Sequence, residues 1–141
     1  MELEEDNSDL AGLRALIAED NDINWEIIHA LLAMYGIDSV RAENGQICVD
    51  MFREAGEGAY DLIFMDIQMP VMNGLEAART IRGLQDVPQA ASIPIIAMTA
   101  NAFSEDIAEC KKAGMNSHIA KPIDIKFVIK ELRKVREGSY Q

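Results

Sequence analysis

The sequence predicts an α/β fold in which a five-stranded parallel sheet is doubly wound, with helices on both faces. Three observations carry this expectation. Five short β-rich runs are spread along the chain, each the length of a strand rather than a helix. Helical periodicity fills the interval after each run, the alternation that builds parallel sheets with right-handed crossovers. The central run, Leu62 to Met65, is apolar without alternation, as a strand buried on both faces must be.

Taken in order, the first ten residues, MELEEDNSDL, are acidic and nearly without apolar periodicity, so 1–10 reads as a solvated leader or linker outside the core. The folded domain is expected over 11–137, with 138–141 frayed. LRALIA (13–18) is the first strand. Trp25, Ile28, Leu31, Leu32 and Tyr35 then recur at helical spacing and stop at Gly36, a common terminator. SVRA (39–42) is the second strand, and Asn44 is placed to cap a helix carrying Ile47, Met51 and Phe52. LIFM (62–65) is the third, followed by a helix from about Gly74 to Gly83. Residues 84–93 form a longer loop before PIIAM (94–98), the fourth strand. A helix from Ser104, a candidate N-cap, to Ala113 stops at Gly114, and SHIA (117–120) is the last strand. Asp124 then precedes a helix with Ile125, Val128, Ile129, Leu132 and Val135 on one face.

Length and charge narrow the function. A chain of 141 residues has room for one core. With 24 acids against 13 bases the formal charge is -11, which disfavours direct contact with nucleic acid or an anionic membrane and favours cations or basic partners. No apolar run approaches the ~20 residues of a membrane span and no signal region is present, so a cytoplasmic location is expected. Cys48 and Cys110 lack the spacing of a zinc site or a disulfide framework and read as small apolar side chains in helices. His29, Trp25 and the methionines read as packing residues.

Parallel strands gather their carboxyl ends on one edge, the edge where ligands bind in open α/β sheets. There Glu19 and Asp20 should lie beside Asp66, with Thr99 and Lys121 nearby. Three carboxylates at close quarters repel one another, and either raised pKa values or a bound cation relieves them. An all-oxygen donor set favours a hard ion such as Mg²⁺.

"LIAEDN", "DLIFMDIQMPVMNGLEA", "IIAMTANA" and "HIAKP", in this order at the strand ends, closely resemble the receiver domain of two-component response regulators, over Leu13 to Val135. The resemblance implies a flavodoxin-like sheet of strand order 2-1-3-4-5. It implies that Asp66 takes a phosphoryl group from a phosphohistidine of a histidine kinase or histidine phosphotransfer domain. Asp20, Asp66 and the Gln68 carbonyl would ligate Mg²⁺, with Glu19 acting through water. Lys121 would pair with the acceptor and then with the phosphoryl oxygens, and the Thr99 hydroxyl would bind a phosphoryl oxygen. His118 stands where receivers place a switch aromatic, and Gln68 and Asn101 flank the path of attacking water, setting phosphoryl lifetime. The Lys121–Pro122 bond would be cis. Met69-Pro70 and Asn73-Gly74 should shape the loop after the acceptor, Gly74 being free to take backbone angles denied to other residues. "EDNDIN" and "MTANAF" look most like receivers attached to hybrid sensor histidine kinases. A phosphorylation-dependent dimer is also compatible with the resemblance.

Other readings stand beside this one. A receiver-like interaction domain could signal without phosphorylation. A small aspartyl-phosphate phosphatase of the haloacid-dehalogenase type would carry a second aspartate where this chain has Gln68. A flavodoxin-like cofactor module would need Gly, Ser or Thr where the first loop is acidic. As an enzyme the chain would be at most a phosphoryl acceptor with slow self-dephosphorylation.

Overall fold

The computed structural model describes residues 8–100 and 104–138. Five parallel strands, β1 (Arg14–Ala18), β2 (Asp38–Ala42), β3 (Leu62–Asp66), β4 (Ile95–Thr99) and β5 (Ser117–Ala120), form one sheet in the order β2-β1-β3-β4-β5. The helices α1 (Asp22–Ala33), α2 (Gly45–Ala55), α3 (Gly74–Arg82), α4 (Ser104–Lys112) and α5 (Ile125–Glu137) connect and follow them. The expected alternation and strand order are present, with β3 at the centre.

Period-two alternation divides the core in two. Leu16, Ala18, Ile63, Met65, Ile95 and Ala97 face one side, where they meet Cys48 and Phe52 of α2, Ala78 and Ile81 of α3, and Cys110 of α4. Ala15, Ile17, Leu62, Phe64, Ile96 and Met98 face the other, against Ile28 and Leu32 of α1 and Val128 and Leu132 of α5. Each fully buried large side chain stabilises the fold by about 1.5–3 kcal/mol.

The helix starts follow local chemistry. Asn21, Asn44 and Asn73 each accept from a backbone N–H three residues on, at 2.9 Å, capping α1, α2 and α3. Asp124 does the same for α5, accepting from the Lys126 N–H. Ser104 is the first residue of α4 rather than a flanking cap. Within the expected loop 84–93 lies a 3-10 turn, Pro88–Ala91, entered by a proline whose fixed φ suits a first helical position.

One boundary differs from the sequence reading. Ser8–Leu10 forms a 3-10 turn and Leu10 is fully buried among α1 and α5 residues, so the acidic leader expected over 1–10 does not extend through Leu10. Arg133 pairs with Asp9 at 3.1 Å, and Arg136 Nε donates to the Asp9 carbonyl at 2.8 Å, which ties this turn to α5. A single leucine among acids shows no period, so its burial is invisible until α5 is placed beside it. No helix among the described residues is long and apolar enough to cross a membrane.

Candidate functional site

The register of the sheet assembles the site. Ala18 pairs with Met65, Asp66 with Met98, and Thr99 with Ala120, so the strands end level with one another. The ladder runs one residue further, with Glu19 N–H donating to Ala42, Ile67 N–H to Met98 and Lys121 N–H to Thr99. Residues far apart in sequence thereby leave the sheet at one edge.

Glu19, Asp20, Asp66, Thr99 and Lys121 line a single pocket of about 270 Å³, together with Gln68. Glu19 and Asp66 are buried and Asp20 is exposed, and one carboxylate oxygen from each lies within 4.8 Å of the others. Lys121 Nζ stands 2.9 Å from Glu19 Oε1 and 2.9 Å from Asp66 Oδ2. The Gln68 N–H donates to Asp66 Oδ1 at 3.2 Å, and the Asn21 N–H to Glu19 Oε2 at 3.2 Å. Burial raises the Glu19 carboxyl above its ordinary range, opposed by its hydrogen bonds to Lys121 and Asn21. Burial pulls Lys121 down, but its hydrogen bonds to Asp66 and Glu19 outweigh this and leave it raised.

Donor chemistry fits a hard divalent cation. The three carboxylates offer oxygen ligands only, one of them opens to solvent where water can complete a shell, and among the described residues neither a thiol nor an imidazole lines the pocket. Asn24, one turn into α1, also lines the pocket and escaped the sequence reading, since an asparagine on a helix face carries no signal by itself.

The loop after Asp66 departs from expectation in one respect. Gly74 has no positive φ, whereas Val71 does, at 69°, with the Met72 N–H donating back to the Pro70 carbonyl at 2.7 Å in a γ-turn. Gly74 is required for space: a Cβ there would lie 2.2 Å from the Asp66 carbonyl oxygen and 2.9 Å from Ile67 Cα. Gly45, at the start of α2, is equally confined, its Cβ falling 2.3 Å from the Met72 carbonyl oxygen. The Lys121–Pro122 bond is cis.

His118 is half-buried on β5 and lines a separate groove with Pro122 and Phe127, not the acidic pocket. Asn101 lies outside the described residues.

Comparison with known proteins agrees with this architecture. Residues 15–133 match the family model of the response regulator receiver domain. The chain is 37% identical over 143 residues to hybrid signal transduction histidine kinase L of Dictyostelium discoideum, covering 99% of this chain and 8% of that protein. It is also 37% identical over 125 residues to the osmosensing histidine protein kinase SLN1 of Saccharomyces cerevisiae, covering 86% of this chain and 10% of that protein. It thus spans about a tenth or less of these curated relatives. Among solved structures, the receiver domain of sensor histidine kinase PA1611 from Pseudomonas aeruginosa, with a magnesium ion in its active-site cleft, superposes with a TM-score of 0.77 at 35% identity, covering 90% of this chain and 99% of that one. The receiver of S. cerevisiae Ssk1, crystallised with the histidine phosphotransfer protein Ypd1, gives a TM-score of 0.77 at 30% identity, covering 92% of each chain. With the five-stranded order, the acidic pocket and a family match over most of its length, this chain belongs to the response regulator receiver domain family.

Proposed function

We propose that the chain is the phospho-acceptor of a two-component phosphorelay, taking a phosphoryl group onto Asp66 from the phosphohistidine of a histidine kinase or histidine phosphotransfer protein. The observation that carries this is the Asp66 carboxylate clustered with Glu19 and Asp20 in one pocket, with the Lys121 ammonium 2.9 Å from it. In the transfer an Asp66 oxygen attacks phosphorus, forming a P–O bond as the P–N bond to the donor imidazole breaks. The electron pair of that bond returns to the ring nitrogen, and the imidazole leaves neutral when its other nitrogen carries a proton. Such transfers depend on in-line placement and charge neutralisation more than on covalent chemistry by the protein.

Asp20, Asp66 and the Gln68 carbonyl would hold Mg²⁺, with Glu19 acting through water. Bound there, the ion supplies positive charge against the phosphoryl oxygens. Lys121 releases its carboxylate partners to pair with a phosphoryl oxygen, and the Thr99 hydroxyl donates to another. Thr99 already lines the pocket, which supports its role. His118 is two residues along β5 from Ala120, the register partner of Thr99, so a movement of Thr99 reaches it through one strand. Ile23 and Ile27 are exposed on α1, the helix that also sends Asn24 into the pocket, and they offer an apolar footing for the donor. Cys48 and Cys110 are buried and form no disulfide, which suits a reducing cytoplasm.

The test is intact-mass measurement after incubation with acetyl phosphate and Mg²⁺. One phosphoryl adduct is expected in the wild type and none in Asp66→Ala. An adduct that persists in the variant overturns the assignment.

A further inference from the structure

The β1–α1 turn carries two of the three clustered carboxylates, and one side chain from the edge strand grips both of its ends. Arg41 Nε donates to the Glu19 carbonyl at 2.9 Å, while Arg41 Nη1 lies 2.9 Å from Asp22 Oδ1, on the first residue of α1. The Glu19 N–H is held as well, by the carbonyl of Ala42, the next residue of the same strand. The Arg41 side chain is 17% exposed and that of Asp22 84%. The ion pair with Asp22 is therefore solvated and weak, and the shielded contact is the one to the carbonyl.

Asp20 sits between these two anchors. Its carboxylate is exposed, and no hydrogen bond or ion pair to the described residues holds it, so the backbone of the turn sets where it points. The Glu19 carbonyl belongs to the rigid peptide plane that leads into Asp20. Holding that oxygen therefore fixes the plane from which the Asp20 side chain departs.

We propose that Arg41 is a positioning residue for the cation site, keeping the Asp20 carboxylate aimed at the space it shares with Glu19 and Asp66. Arginine suits this task because its planar fork presents several donors in fixed relation and stays charged. Lysine offers one compact ammonium and cannot span carbonyl and carboxylate in the same geometry. The inference rests on the reading that Asp20 and Asp66 hold Mg²⁺. A second effect runs the other way, since a guanidinium near a divalent cation repels it, so a neutral replacement mixes two opposed contributions. Arg41→Lys keeps the charge and removes the fork.

Calorimetric titration of the full chain with Mg²⁺, paired with urea unfolding in chelator, separates the possibilities. Arg41→Lys should weaken Mg²⁺ binding about tenfold, the range expected when a partner behind a metal ligand is lost. Asp22→Asn, which leaves the carbonyl bond in place, should change it by about twofold or less. Wild-type Mg²⁺ affinity in Arg41→Lys overturns the proposal, even if metal-free stability falls, because that pattern is a structural role alone. If the wild type itself binds no Mg²⁺, the metal reading fails first. Should Arg41→Lys not fold, NMR of the wild type decides: a slowly exchanging Arg41 Nε–H resonance that moves on Mg²⁺ addition supports the proposal, and one that exchanges rapidly with solvent or ignores Mg²⁺ overturns it.

Discussion

One ammonium bridges two buried carboxylates: Lys121 Nζ is 2.9 Å from Asp66 Oδ2 and equally close to Glu19 Oε1. Without it two buried acids face each other with no cation between them. Lys121→Met should therefore destabilise the metal-free protein by about 3 kcal/mol, the scale for breaking a buried pair from one side. Mg²⁺ should restore much of this by replacing the lost charge. The penalty should also shrink as pH falls, because the Glu19 carboxyl, raised above 4.5, protonates early and removes the repulsion. Urea unfolding with and without Mg²⁺ across pH 4–7 checks both; an equal penalty in chelator and in Mg²⁺ contradicts the bridging role.

Gly74→Ala should destabilise by about 1–3 kcal/mol, since the new methyl meets backbone atoms that cannot swing aside. Because the displaced atoms belong to Asp66 and Ile67, phosphorylation should fall as well. Gly83→Ala is the control: its nearest atoms lie 3.5 Å away, and the change should stay within about 0.5 kcal/mol. Thermal melts together with phosphorylation rates of both variants test the contrast.

Gln68 lines the pocket with its side chain exposed, and its backbone rather than its amide bonds to Asp66. An amide is no strong base but can obstruct water beside a phosphoryl group. Gln68→Ala should hasten dephosphorylation several-fold, on the order of 1 kcal/mol in barrier, while Mg²⁺ affinity hardly changes because the carbonyl remains. Phosphate release from purified phosphoprotein measures this, and an unchanged or slower rate shows that Gln68 does not shield the bond.

Burial pushes the Cys48 thiol up to about 12 from 9.0. The thiolate is the reactive form, so Cys48 should resist a disulfide reagent at pH 8 in the native protein and react promptly in denaturant. The sign for stability follows: the unfolded thiol ionises first, so the contribution is intact below pH 9.0 and is lost as pH rises toward about 12. Cys48→Ala should flatten that alkaline loss in pH-dependent unfolding, at the expense of a small cavity.

Much of the molecule was legible in its residues because the governing signals are local. The apolar run before Asp66, the asparagine at 44 and the glycines at 36 and 114 act within a few residues of themselves, and parallel alternation then places Glu19, Asp20, Asp66, Thr99 and Lys121 on one edge. What the tertiary structure decided is a matter of contacts between distant segments. The burial of Leu10 requires α5 beside it, and the need for glycine at 74 and 45 arises from carbonyls of Asp66 and Met72 rather than from backbone angles. Arg41 reads in sequence as one more polar residue in a half-buried edge strand. Only when β2 lies against β1 does its guanidinium reach the Glu19 carbonyl and Asp22, because hydrogen bonds depend on separations in space that hydrophobic periodicity does not encode.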